Sequence, residues 1–233
     1  MFDLTGYSSY EWRISHAISH HTFPNTMIDY EVSMIEPFLM TFDENKLQKN
    51  WIQKNLVVFY FPALFFFPVV VDSLKRIFNL LTKKTSFLKT NLFVYFEVFL
   101  FCYSMGWKGL YLFFVIKAIS SWFISLSLQS HHNFYAWNEG EKIPPCLSKT
   151  RDWGIFQVVS SADHSLNWHF IPALLVFGLL HDHALHHLFP TLDHSRIPML
   201  RKELEETCKE FDVPYKSHHF FNMFTGLIFK MIS

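Results

Sequence analysis

Charged residues are scarce in this chain, and their signs cancel. Only 17% of the 233 residues are Asp, Glu, Lys or Arg, and 20 basic side chains match 20 acidic ones. A protein that binds nucleic acid through its phosphates needs a basic patch or stripe. The sequence has neither a net positive charge nor a basic tract, so nucleic acid is excluded as a partner.

Paired cysteines and a cleavable leader are also missing. The three cysteines, Cys102, Cys146 and Cys208, are an odd number without Cys-x-x-Cys spacing, which indicates free thiols rather than a disulfide framework. The first residues, MFDLTGYSSYEWR, lack the basic region and apolar core of a secretion signal. We therefore expect any insertion into a membrane to use internal segments.

Apolar residues, in contrast, are abundant and occur in blocks. Half of the chain is hydrophobic, with 28 phenylalanines. Leu56 to Val71 has no charged residue, and Leu92 to Leu128 has only Glu97, Lys108 and Lys117. Because about 20 apolar residues cross the hydrocarbon core of a bilayer, we predict an all-α polytopic membrane protein with two to three embedded helices in 56–128. Residues 1–55 and 129–233 are expected to lie outside the hydrocarbon, as a cytosolic histidine-rich helical cap.

Two arrangements of the apolar blocks are open. Either Leu56 to Val71 crosses the membrane and the second block returns as one long helix, or the first block is re-entrant and the second forms a hairpin about Gly106. The basic connector within Asp72 to Asn91 favours the hairpin by the positive-inside rule. The prolines at 62 and 68 are a weak basis for re-entry, so both arrangements remain.

Three further segments of the cap can be predicted. Arg151 to Ser165 is expected to be a helix, and Phe170 to Leu180 is apolar but too short to span a membrane. Ile197 to Phe211 has Leu200, Leu204 and Cys208 at helical spacing, which predicts an amphipathic surface helix.

Histidines occur in short runs around these apolar blocks. The runs are His16, His20 and His21; His131 and His132; His164 and His169; and His181, His183, His186 and His187. Neutral imidazole is a good ligand for iron, zinc or copper. Side chains three and four residues apart share one face of a helix. The runs therefore predict a metal site, and their adjacent pairs suit a dinuclear one.

Carboxylates near the runs are few. Asp163, Asp182 and Asp193 flank the later runs and are predicted to orient the imidazole rings by hydrogen bonds. A carboxylate-rich diiron site is not expected, because no Glu-x-x-His motif is present. His169 and His181 are interpreted as hydrogen-bonding residues, and His194, His218 and His219 as surface or supporting residues.

The spacing of the runs resembles a known family. His16-Ala-Ile-Ser-His-His followed by Pro-Asn-Thr, the Gln129-Ser-His-His sequence, and His183-Ala-Leu-His-His-Leu-Phe-Pro are similar to the histidine boxes of membrane fatty acid desaturases. The likeness is greatest to the front-end type and to cytochrome b5-related proteins. It covers nearly the whole chain, and the third box is its most specific part.

This resemblance implies an oxygen-dependent enzyme with two iron ions, located in the endoplasmic reticulum membrane. It would desaturate an acyl-CoA or acyl-lipid substrate with electrons from cytochrome b5. By position, the resemblance assigns ligands as follows: His16, His20 and His21 from the second box; His183, His186 and His187 from the third; one of His131 and His132 as an extra ligand; and His164 at a position where related enzymes place an additional Asn or His.

The sequence also departs from the family pattern. No histidine precedes His16, so the HxxxH first box is not found, and no His-Pro dipeptide of a fused cytochrome b5 domain occurs. We therefore expect residues 1–233 to be an N-terminally truncated, partial desaturase domain that is inactive in isolation. The alternatives are a related lipid hydroxylase and a non-catalytic membrane protein that retains the fold. A histidine-rich metal transporter is disfavoured because few ionisable residues interrupt the apolar blocks.

Overall fold

The computed structural model describes most, but not all, of the chain. The described residues are 3, 8–26, 28–33, 50–82, 89, 91–133, 152–164, 181–219, 222–223 and 225–228. The chain divides into two compact units, one comprising Met1–His16 and Phe59–Leu126, the other Ala17–Val58 and Ser127–Ser233. The described part is predominantly helical, as the all-α prediction requires.

The secondary structure is a series of helices and one very short pair of strands. The main helices are α1 Ser9–Trp12, a π-helix Arg13–His20, α2 Tyr30–Ser33, α3 Trp51–Asn55, α4 Val57–Leu64, α5 Pro68–Leu81, α6 Asn91–Met105, α7 Trp107–Asn133, α8 Trp153–Val159, α9 His183–Leu188, a 3-10 turn Ile197–Leu200 and α10 Arg201–Glu210. Strands β1 Asp163–His164 and β2 Ser217–His218 are parallel, with Asp163 opposite Ser217.

An antiparallel helical hairpin forms much of the first unit. Gly106 separates α6 from α7 and has φ +58°, in the left-handed region that glycine enters at little cost. The Glu97 carboxylate lies 2.6 Å from Lys117 Nζ, and the rings of Phe101 and Phe113 are 6.1 Å apart. The contact residue in α6 moves from 97 to 101 while its partner in α7 moves from 117 back to 113, so the two helices are antiparallel. The structure thus has the hairpin about Gly106 rather than one long helix.

Helix α5 corrects the prediction of a polar connector from Asp72 to Asn91. The helix continues to Leu81 because its charged residues have partners within the first unit. Arg76 is buried and pairs with Asp3 at 3.3 Å, and Lys75 pairs with Glu11 at 3.3 Å. Both partners are more than 60 residues away in the sequence, so the charges were wrongly interpreted as those of a loop.

The described parts of residues 56–128 contain four helices, α4 to α7. The number of membrane-embedded helices, two to three, stays a prediction. Within the described ranges, no helix has both the length and the apolar character that a membrane crossing requires.

In the second unit, α8 and α9 pack around a small apolar core. Asp152 caps the start of α8 by accepting from the Ile155 amide at 2.9 Å. The helix ends at Val159 rather than near Ser165, because residues 163–164 instead form strand β1. The prediction for Ile197 to Phe211 is confirmed: a 3-10 turn leads into α10, which buries Leu204 and Cys208 in the same core. Phe170 to Leu180 and His169 lie outside the described residues.

Candidate metal centre

A π-helix carries the first histidine run. The spacing predicted an α-helix, but Arg13–His20 forms the wider turns of a π-helix. This conformation is rare in proteins, and where it does occur it is often at a functional site. His20 and the next residue, His21, are both buried. His16 belongs to the first unit, where its ring stacks on Trp12 at 4.5 Å.

Four imidazoles from three segments of the second unit converge. The ligand nitrogens of His20, His132, His183 and His187 all lie within 4.8 Å of one another, and all four side chains are buried. We call this group the four-histidine cluster. The Nε2 atoms of His132 and His183 are 2.7 Å apart, and those of His183 and His187 are 3.2 Å apart.

Hydrogen bonds on the far side of two rings define which nitrogen carries the proton. His132 Nδ1 donates to the Ser160 carbonyl at 3.0 Å, and His187 Nδ1 donates to Gln157 Oε1 at 2.9 Å. A neutral imidazole protonated on Nδ1 has a lone pair on Nε2. Two lone pairs therefore point at His183 Nε2, which carries one proton at most. A cation can bind all of these lone pairs, so the residues fit a metal ion.

The fourth ring of the cluster is anchored by a carboxylate. His20 Nδ1 donates to Asp29 Oδ2 at 2.9 Å, and Asp29 is fully buried. Asp29 also accepts from the backbone amides of Asn25 and Glu31. A carboxylate on the remote nitrogen of a ligating histidine is the usual support of a metal site. Burial lowers the pKa of His20, but the charges of Glu31 and Asp29 and the hydrogen bond outweigh it, so the pKa is raised.

The other three rings are held neutral. Burial above all, and then the neighbouring imidazoles, keep the pKa of His132, His183 and His187 well below the usual value. Neutral imidazole is the form that binds a metal. These three rings can therefore bind a metal at neutral pH without losing a proton first.

A second pair of imidazoles adjoins the cluster. His21 Nε2 and His186 Nε2 are 3.2 Å apart, and the ring of His21 is 4.4 Å from that of His187. The ring of His194 lies 5.0 Å from that of His186. These two imidazoles could hold a second cation beside the first.

His131 and His164 lie behind His183. His131 Nδ1 donates to the Ala162 carbonyl at 2.8 Å, and its ring stacks on His183 at 4.1 Å and contacts His164 at 4.0 Å. Burial, together with His181 and His219, lowers the pKa of His164 to about 3. Of the two adjacent histidines at the end of α7, the structure thus brings His132 into the four-histidine cluster and places His131 next to it.

The three predicted supporting carboxylates have different positions. Asp163 accepts from the Ala184 amide at 2.7 Å and from the Tyr215 hydroxyl at 2.6 Å, and burial raises its pKa to about 7. Asp182 accepts from Arg201 Nε at 2.6 Å and pairs with His181 at 3.1 Å. These two hold the start of α9.

Asp193 is exposed and accepts from the amide and hydroxyl of Ser195. Both of these hydrogen bonds of Asp193 involve Ser195 rather than a box histidine. The supports of the cluster that the sequence did not indicate are Gln157 and the Ser160 carbonyl. The sequence indicates Asp29 only as one of three carboxylates, with Glu31 and Glu36, that follow the first histidine run.

The family of the chain follows from comparison with known proteins. The profile of the fatty acid desaturase family matches residues 2–219. The chain belongs to this family, as its histidine boxes predicted.

Curated relatives agree with this assignment. The chain is 34% identical to the cytochrome b5-related protein of Drosophila melanogaster over 86% of this chain and 46% of that protein. It is 25% identical to the acyl-lipid (8-3)-desaturase of Mortierella alpina over 91% of this chain and 50% of that enzyme, and 29% identical to the chloroplastic acyl-lipid (7-3)-desaturase of Chlamydomonas reinhardtii over 93% and 45%. The chain spans about half the length of these relatives. No solved structure matches it.

Proposed function

We propose that this chain provides the diiron centre of an oxygen-dependent fatty acyl desaturase. The observation that carries the proposal is the four-histidine cluster, in which the Nε2 lone pairs of His132 and His187 converge on His183. Two relatives are named acyl-lipid desaturases and a third is named cytochrome b5-related. We therefore infer an acyl-lipid or acyl-CoA substrate and cytochrome b5 as the electron donor.

The residues of the centre have separate tasks. The four-histidine cluster would bind one iron ion, and His21 and His186 would bind the second. Bound iron supplies the oxidising power, drawn from O2, that a methylene C–H bond requires and that no side chain provides. Asp29 places a negative charge next to the ring of His20, which favours a cation in the cluster. The burial of all four rings excludes water from the ligand nitrogens.

The first unit supports a membrane location. Large apolar side chains of the α6–α7 hairpin are exposed, among them Phe96, Phe99, Tyr103, Trp107 and Tyr111. Apolar surface of this extent requires a lipid or protein neighbour. We infer that these side chains contact lipid, in the endoplasmic reticulum membrane, where an acyl substrate is dissolved.

Iron content tests the centre directly. Protein purified in detergent and loaded with Fe2+ without oxygen should retain two iron ions per chain, measured by plasma mass spectrometry. Replacement of both His183 and His187 by Ala should remove the ion of the four-histidine cluster, because half of its ligands are lost. Replacement of the exposed His219 by Ala is the matched control. Iron below one ion per chain, unchanged by the double replacement, would count against the proposal.

Product analysis tests the reaction. The protein is incubated with reduced cytochrome b5, O2 and an acyl-CoA or acyl-lipid, and the acyl chains are analysed by mass spectrometry. A loss of two hydrogens supports a desaturase. A gain of one oxygen instead would assign a lipid hydroxylase, which can use the same imidazoles.

A further inference from the structure

One short segment supplies hydrogen-bond acceptors to three histidines. Between Gln157 and Ala162, at the end of α8, Gln157 Oε1 accepts from His187 at 2.9 Å, the Ser160 carbonyl from His132 at 3.0 Å, and the Ala162 carbonyl from His131 at 2.8 Å. In each case the histidine donates through Nδ1. The segment therefore leaves a lone pair on Nε2 of all three rings.

We propose that Gln157 is a positioning residue of the metal centre, which fixes the tautomer of His187 so that Nε2 can bind metal. The inference rests on the proposed metal-binding function of the cluster. Gln157 does not reach the ligand atoms and acts through the opposite nitrogen of the ring. It is fully buried, so water does not replace the acceptor that it provides.

Gln157 differs from the other two acceptors because it is a side-chain amide. A peptide carbonyl can only accept, whereas an amide that turns over presents its NH2 group instead. A turned amide would donate to His187 Nδ1 and move the ring proton to Nε2, which removes the ligand. The orientation of this one amide therefore decides whether the cluster has four ligands or three.

The surroundings of Gln157 hold its backbone in place. The hydroxyls of Ser160 and Ser161 donate to the Gln157 carbonyl at 3.2 and 2.8 Å. Asn25 Nδ2 donates to the carbonyls of both Ser160 and His132, at 2.8 and 3.2 Å. These bonds fix the segment against the end of α7, so that the acceptor and the rings keep their register.

Two substitutions at Gln157 separate the effect of its hydrogen-bond acceptor from the effect of its side-chain shape. Gln157→Leu keeps a similar volume and removes the acceptor, whereas the ionised carboxylate of Gln157→Glu offers acceptors only. Ser121→Ala is the control, because Ser121 is equally buried but lies in the first unit, where its hydroxyl accepts from the Val69 amide. Affinity is measured with Co2+ against a competing chelator, and the visible absorption of bound Co2+ reports its coordination.

We expect Gln157→Leu to weaken Co2+ binding about 10–100-fold, as loss of such a support does in other metal sites, and to change the absorption. Gln157→Glu should bind Co2+ at least as tightly as wild type, and Ser121→Ala should bind normally. Wild-type affinity and absorption in Gln157→Leu would overturn the proposal.

If Gln157→Leu does not fold, as judged by circular dichroism, the Co2+ affinity of Gln157→Glu tests the proposal instead. Retained binding supports the role of an acceptor, and a loss of binding in the folded Glu variant overturns it. Failure of the wild-type protein to bind Co2+ at all is a different result. It would overturn the metal centre itself, and this inference with it.

Discussion

Two of the enclosed groups of polar side chains are satisfied in different ways. In the hairpin of the first unit, Lys117 Nζ lies 2.6 Å from Glu97 and 5.3 Å from the centre of the Phe113 ring. Cation and anion balance each other there. In the second unit, the Nε2 lone pairs of His132 and His187 both point at Nε2 of His183. The first group is complete without a ligand, whereas the second requires a cation, which is the mark of a binding site.

The largest effect is expected from His132→Ala. His132 contributes an atom to the four-histidine cluster, whereas His131 stacks beside His183. His132→Ala should therefore lose the metal of the cluster, and His131→Ala should lose less. Metal analysis of both variants measures the difference. Equal loss in the two would show that His131 is also a ligand and that the cluster is larger than four.

Breaking the ion pair should affect stability but not metal binding. Lys117→Met leaves Glu97 without its cation in apolar surroundings. Removing one partner of a buried pair costs several kcal/mol, and we expect about 2–3 kcal/mol here because Glu97 is partly exposed. Denaturant unfolding measures the change. The double variant with Glu97→Leu should recover most of it, and a loss of bound metal in either variant would contradict the separation of the two groups.

Asp29→Asn tests the carboxylate that anchors the cluster through His20. The variant keeps an acceptor for His20 but removes the negative charge, so the pKa of His20 should fall and metal affinity should drop about tenfold, at the low end of the usual range. Competition with a chelator measures the affinity. The exposed Asp193→Asn is the control, and an equal loss in that variant would rule out a local effect of Asp29.

Without metal, the free energy of unfolding should depend on pH. The pKa of His132, His183 and His187 is lowered in the folded state, so below pH 6.5 the unfolded chain binds more protons than the folded one. Their contribution to stability is present above pH 6.5 and is lost as the pH falls.

His20 has the opposite sign, because its raised pKa contributes stability below pH 6.5 that is lost as the pH rises through the folded value. We expect the three lowered groups to prevail, with unfolding roughly 1–2 kcal/mol easier at pH 6 than at pH 7.5. Denaturant titration at the two pH values measures this difference. Greater stability at pH 6 would mean that the rings are not held neutral.

Sequence could predict those features that depend on local spacing. The third box placed His183 and His187 on one helical face, and Gly106 marked the turn of the hairpin. The π-helix could not be foreseen, because its hydrogen bonds connect residues whose types carry no signal for it. The role of the Ser160 carbonyl could not be predicted either, because every residue has a backbone carbonyl and only the folded structure brings this one next to His132. Helix α5 was missed because Asp3, the partner of Arg76, is distant in sequence.

The short strand pair has a consequence for hydrogen exchange. Two residues in each strand are too few to form a stable sheet alone. The carboxylate of Asp163 in β1 also accepts hydrogen bonds from the Ala184 amide of α9 and from the hydroxyl of Tyr215, just before β2. The Asp163 amide, which donates to the Lys216 carbonyl, should therefore exchange slowly only while α9 and the segment after α10 are both in place. Its exchange rate would report the opening of the third box at a site that no metal touches.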